Sequence, residues 1–184
     1  AAAFAGLKTL PARILAKPFP VEGTTPTPLQ FTLIAPLARQ VLAAEKGDVL
    51  IFGERIAERL HLRFVSLLAA EEDAPDALSG GFALAIPADV DDDAKRLIRL
   101  LALAVAQPAM PTKASMTRDA LPGALESAIA AMETLRHALH GKDRGLTLLN
   151  FASAAARVGY AQSSGPTLQR AIDAYRAAAE ALAR

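Results

Sequence analysis

A chain of 184 residues is long enough to bury a core of its own and short enough to be one domain. Apolar residues make up 52%, which excludes a disordered chain, and their Ala- and Leu-rich make-up with 5% aromatics leans helical. The net charge of +1 hides two poles: residues 45–93 hold twelve acids against four bases, and residues 94–184 hold twelve bases against six acids. Opposed poles of this kind can steer a partner or favour head-to-tail association.

The absence of cysteine excludes a disulfide framework, a thiolate metal ligand and a cysteine nucleophile. No apolar run reaches the roughly 18 residues that a membrane span requires. The expected compartment is the cytoplasm, with the periplasm or an organelle as alternatives.

In chain order, residues 1–17 read as a basic, acid-free amphipathic segment. It is expected to be helical over 4–17 and folded onto the body; a targeting presequence is the second reading. "KPFPVEGTTPTP" ends in a Pro/Thr-rich arm over 18–28, and 29–184 is expected to be a single, mainly helical domain with a sub-division at 107–117. Pro28 opens a helix whose apolar stripe runs to Gly47, with Pro36 expected to kink or divide it. Asp48 is expected to cap a further helix over "VLIFGERIAERLHL", with Ile51, Phe52, Ile56 and Leu60 on one side. "LHLRFVSLLA" either extends that helix or forms a strand. "GGFALAIPADV" has the look of a second strand, stopped by Pro87. The expected fold class is therefore mainly α, six or seven helices in an irregular bundle, or α+β with a small hairpin at about 61–88.

"ADVDDDAKRLIRLLALAVAQ" is a helix capped by Asp89 or Asp91. A linker is expected at 108–116, then a helix from Thr117 or Asp119 to Gly141, and two more at about 144–158 and 166–183, with Gly159 ending the first and Gly165 and Pro166 starting the second.

Few motifs carry chemistry. Asp89, Asp91 and Asp93 match the start of a calcium loop, but Ala94 and Leu100 stand where its glycine and bidentate glutamate belong. Glu133, His137 and His140 fall at helical spacing and are weak candidates for a metal site; no metal or cofactor is expected. There is no G-x-S-x-G, phosphate loop or dinucleotide fingerprint, so the reading leans away from an enzyme. The acidic groups Glu71, Glu72, Asp73, Asp76, Asp91 and Asp92 are the candidate surface for a protein partner or a second copy of the chain.

The stretch "AAARVGYAQSSGPTLQRAI", residues 154–172, poses the sharpest alternative. Ala155 and Gly159 supply the small residues that let two helices cross closely, and Leu168 and Ile172 could anchor the second helix. The stretch resembles the helix-turn-helix region of LysR-type regulators. As a helix-turn-helix the stretch would face DNA with Gln162, Ser163, Ser164, Thr167, Gln169 and Arg170, residue types suited to base edges and phosphates. Affinity for DNA comes from several cations on phosphate, and here Arg170, Arg176 and Arg184 are offset by Asp173 and Glu180. The expectation is a protein-interaction module, an adaptor, assembly factor or complex subunit. A DNA-binding regulator is the first alternative; a small enzyme or hydrophobic-ligand carrier is the other.

Overall fold

Alternation decides the middle of the chain. Val49 and Ile51 point one way and Leu50 and Phe52 the other, a period of two that only a strand can use when both of its faces are covered. The computed structural model describes residues 12–15, 28–67, 82–89, 91–106 and 111–183. Its elements are α1 (Pro28–Ala44), β1 (Val49–Ile56), β2 (Arg59–Ser66), β3 (Phe82–Pro87), α2 (Asp92–Val105), α3 (Pro111–Ala138), α4 (Gly141–Gln162) and α5 (Gly165–Leu182).

The three strands form one antiparallel sheet in the order β1-β2-β3, with Ile51 opposite Phe64 and Phe64 opposite Phe82. The α+β alternative is therefore the fold, and the strands expected within "LHLRFVSLLA" and "GGFALAIPADV" are β2 (Arg59–Ser66) and β3 (Phe82–Pro87). The helix expected over 49–62 is instead β1, a turn at Ala57 and Glu58, and the start of β2. The i, i+4 spacing of Phe52, Ile56 and Leu60 imitated a helix, but the β-branched Val49 and Ile51 and the aromatic Phe52 favour a strand. Five helices, rather than six or seven, lie among the described residues. Of the expected helix at 4–17, residues 12–15 carry no helix and the rest lie outside the described residues. The arm at 18–27 lies outside them too. Arg13 ties its segment to the body by pairing with Glu45 just past α1.

The sheet is covered on both sides. On one side α1 packs through Ala35 and Ala38 onto Phe52 and Val65; it remains one helix through Pro36. On the other, Phe64, Phe82, Leu84 and Ile86 meet the main core, built on α2. Asp91 caps α2, its carboxylate accepting from the Ala94 N–H at 2.8 Å, and Asp92 and Asp93 follow in the first turn. Leu97, Leu100, Leu101 and Leu103 of α2 are fully buried between the sheet and the neighbouring helices.

The linker expected at 108–116 is helical from Pro111 onward, and 107–110 lie outside the described residues. Thr117 is not a cap but a buried residue inside α3. Proline at the first turn of a helix lacks only a hydrogen that the helix would leave unused, which lets α3 start there. The turn after α3 is short, and Gly141 takes a left-handed φ of +51° as α4 begins, three residues before the expected start. Arg59 locks this corner to the sheet, donating to the Ala138 carbonyl at 3.3 Å and facing Asp143 at 3.7 Å.

α4 is the central helix of the second half. It packs on β3, α2, α3 and α5, and ten of its residues are buried. Asn150 donates to the Ala83 carbonyl of β3, and Arg157 lies over the Phe82 ring and donates to the Ala104 carbonyl near the end of α2. Thr147, wholly buried in α4, leaves its hydroxyl without a hydrogen-bond partner. Thr147→Val keeps the shape and removes the stranded polar atom. It is expected to stabilise the fold by about 1 kcal/mol, read as a rise of about 2–4 °C in unfolding midpoint. A fall would show that the hydroxyl is satisfied.

Candidate docking surface

The chain reverses between α4 and α5 in two residues. Ser163 adopts the left-handed conformation (φ 52°), and the Ser164 N–H returns to the Gly159 carbonyl at 2.9 Å, closing the end of α4. Ser164 then caps α5: its hydroxyl accepts from the Thr167 N–H at 3.4 Å and bonds the Thr167 hydroxyl at 2.9 Å, with Pro166 in the first turn. Gly159 therefore does not end its helix, as expected from the sequence. It lies inside α4, where no Cβ would fit: one built there would stand 2.7 Å from Leu168 Cδ2 and 3.1 Å from the Leu168 backbone N.

The contacts climb α5 as they descend α4. Gly159 meets Leu168, the Ser153 hydroxyl bonds the Tyr175 hydroxyl at 2.9 Å, and a Cβ on Gly145 would stand 2.5 Å from Leu182 Cγ. The two helices thus run antiparallel along nearly their full length, as in an αα-hairpin. The buried stripe of α5 is Ala171, Ala174 and Ala178, small residues that allow this close approach.

Beside that stripe runs another. Leu168, Ile172, Tyr175, Ala179 and Leu182 recur at steps of four and three, the spacing of a helical seam, and Leu168, Tyr175 and Leu182 reach α4 at Gly159, Ser153 and Gly145. Ile172, Tyr175 and Leu182 are 39–44% exposed, and Tyr160 on α4 is 65% exposed. The Tyr175 hydroxyl is held by Ser153, so its ring is fixed in place at the surface.

The sequence-predicted residues are placed as follows. Ser163, Ser164 and Thr167 build the turn; Gln169 donates to Asp173 at 3.0 Å, Arg170 faces Glu126 at 3.5 Å, and Gln162 is exposed. Glu71, Glu72, Asp73 and Asp76 lie outside the described residues. Asp91 is the α2 cap, and Asp92 pairs with Lys95, whose hydrogen bond and charge hold its carboxyl below the usual range. Glu133 and His137 are exposed on α3, whereas His140 lies beyond its end at the entry to α4, so the three do not share one helix. No three His, Asp or Glu groups among the described residues are arranged to hold a metal ion.

One polar strip escaped the sequence reading. Glu54 and His61 are register partners across β1 and β2, and Arg63 follows two residues on, on the same face of the sheet. Burial lowers the Arg63 pKa against the opposing pull of Glu54, and one Glu54 oxygen is buried without a hydrogen-bond partner. Only the strand register brings these groups together.

No family model matches the chain, and neither a curated protein nor a solved structure matches it.

Proposed function

We propose that this chain is a non-enzymatic protein-interaction module, an adaptor, assembly factor or complex subunit, and that it docks protein on the exposed seam of the α4–α5 hairpin. The observation that carries the reading is the group of large apolar side chains on the α4–α5 hairpin, Tyr160, Ile172, Tyr175 and Leu182, that stay 39–65% exposed. Aromatic and aliphatic groups held rigid at a surface are the usual anchors of protein interfaces. Two further features favour it over DNA reading. Of the side chains that would touch bases, Ser164 and Thr167 are engaged in the turn, and Gln169 and Arg170 pair with Asp173 and Glu126. The two helices also lie side by side, where a DNA-reading pair crosses at a wide angle.

The test is photo-crosslinking in cells expressing the full chain, with a photoreactive residue at Tyr160 and, separately, at Arg118 on the exposed side of α3. The expected result is a discrete protein adduct from position 160, absent from 118, and weakened at least about tenfold by Ile172→Glu. Binding to duplex DNA of mixed sequence, falling steeply as salt rises, would contradict the reading.

A further inference from the structure

We infer that the outer edge of β1 is a strand-addition site, and that it takes β1 of a second copy of this chain, joining the two sheets into one. The site is separate from the α4–α5 hairpin. The sheet runs β1-β2-β3, so β1 and β3 are its edges. α4 closes the β3 edge, where Asn150 donates to the Ala83 carbonyl. Among the described residues no strand lies beyond β1.

Register tells which backbone groups that edge presents. The Ala83 carbonyl turns to α4, and the Ala88 N–H bonds the Glu58 carbonyl at 2.9 Å, so even-numbered residues bond between β2 and β3. Odd-numbered residues of β2 therefore turn to β1. Their partners there are even-numbered, from Phe52 opposite Arg63 to Ile56 opposite Arg59 beside the two-residue turn. The N–H and C=O groups of Val49, Ile51, Gly53 and Arg55 are left pointing outward, and no hydrogen bond reaches them among the described residues. Gly53 is exposed, and without a side chain that exposure belongs to its backbone. No proline in β1 withholds a donor.

A row of outward amides and carbonyls recognises another extended strand. Antiparallel self-pairing about a two-fold axis at Phe52 matches all four outward residues. Val49 meets the second copy's Arg55 and Ile51 its Gly53, each pair occurring twice. Moving the axis by one residue leaves either Val49 or Arg55 with no strand residue opposite. Charge agrees with the same register. Glu54 then lies opposite Leu50 and Arg55 opposite Val49, whereas an axis at Glu54 would set that carboxylate against its own copy.

The experiment is sedimentation of the full chain from micromolar to millimolar concentration, with amide hydrogen exchange read residue by residue over the same range. The expected result is a dimer that grows with concentration. In it the amides of Val49, Ile51, Gly53 and Arg55 gain protection, while those of Leu50, Phe52, Glu54 and Ile56 are protected throughout. Arg55→Pro removes one outward N–H and leaves the β1–β2 bonds in place; it should weaken the dimer at least about tenfold, with an unchanged circular dichroism spectrum. A monomer at every concentration would overturn the inference. So would a dimer whose odd-numbered amides stay open, or odd-numbered amides already protected in the monomer, which would show that the chain covers this edge itself.

Discussion

Gly53→Val is expected to lower the unfolding midpoint by about 10 °C or more, the largest effect of any single change considered. Gly53 lies opposite Leu62 in the β1–β2 pair. A Cβ at this position would stand 1.9 Å from the His61 carbonyl oxygen and 3.0 Å from the Leu62 Cα. Both are backbone atoms, so no rotamer change relieves the clash; the strands must separate. Separation removes ladder bonds and loosens Phe52 and Phe64, which anchor the cores on opposite faces of the sheet. Valine favours strands in general, so propensity predicts a gain and the steric argument a loss. Thermal unfolding followed by circular dichroism decides between them: a midpoint equal to or above that of the parent would mean that the strands are farther apart here than the structure has them.

Gly159→Leu carries the next largest expectation, a loss of about 3 kcal/mol. Leucine suits helices better than glycine by about 0.8 kcal/mol, so a helix with free surface at this point would gain stability. Gly159 instead faces Leu168 across the hairpin, with atoms at 2.7, 2.8 and 3.1 Å from where a Cβ would stand. Two of these belong to a flexible side chain and one to the backbone of α5. Shortening the facing residue should therefore return part of the loss. In a double-mutant cycle with Leu168→Ala, denaturant unfolding is expected to show a coupling of at least about 1 kcal/mol. Strict additivity would mean that the helices do not meet there.

These two glycines also show where the sequence was legible. The α2 cap and its apolar face followed from Asp91 and the leucine spacing, and β3 from its apolar run bounded by Gly81 and Pro87, whereas β2 was left open between a strand and an extension of a helix. β1 was misread because its turn, Ala57–Glu58, contains none of the Gly, Asn or Asp residues that announce a two-residue hairpin, although Ala57 takes a left-handed φ of 50°. Gly159 was misread because a glycine that ends a helix and a glycine that admits a neighbouring helix look alike in one dimension. Only the position of Leu168 separates them.

The candidate surface was less legible than the fold. The steps from Leu168 to Leu182 stand in the sequence, but so does the alanine stripe at 171, 174 and 178. Hydrophobicity alone favours the larger residues for burial. Close packing against α4 buries the alanines and engages some of the larger residues too, since Gly159 and Gly145 face Leu168 and Leu182. The strip of Glu54, His61 and Arg63 was hidden for a different reason: its members lie on two strands, and only register brings them together.

The proposed docking surface requires α4 and α5 to lie side by side. The chain has no cysteine, so Arg144→Cys and Ala183→Cys introduce two unique sites for spin labels at the end of the hairpin far from its turn. Pulsed electron spin resonance measures the distance between them. Antiparallel helices 8–10 Å apart predict a narrow distribution centred at or below about 20 Å. Helices of about 33 and 27 Å diverging at a right angle from the turn would place the labels about 40 Å apart, and that result would contradict the hairpin and the seam it presents.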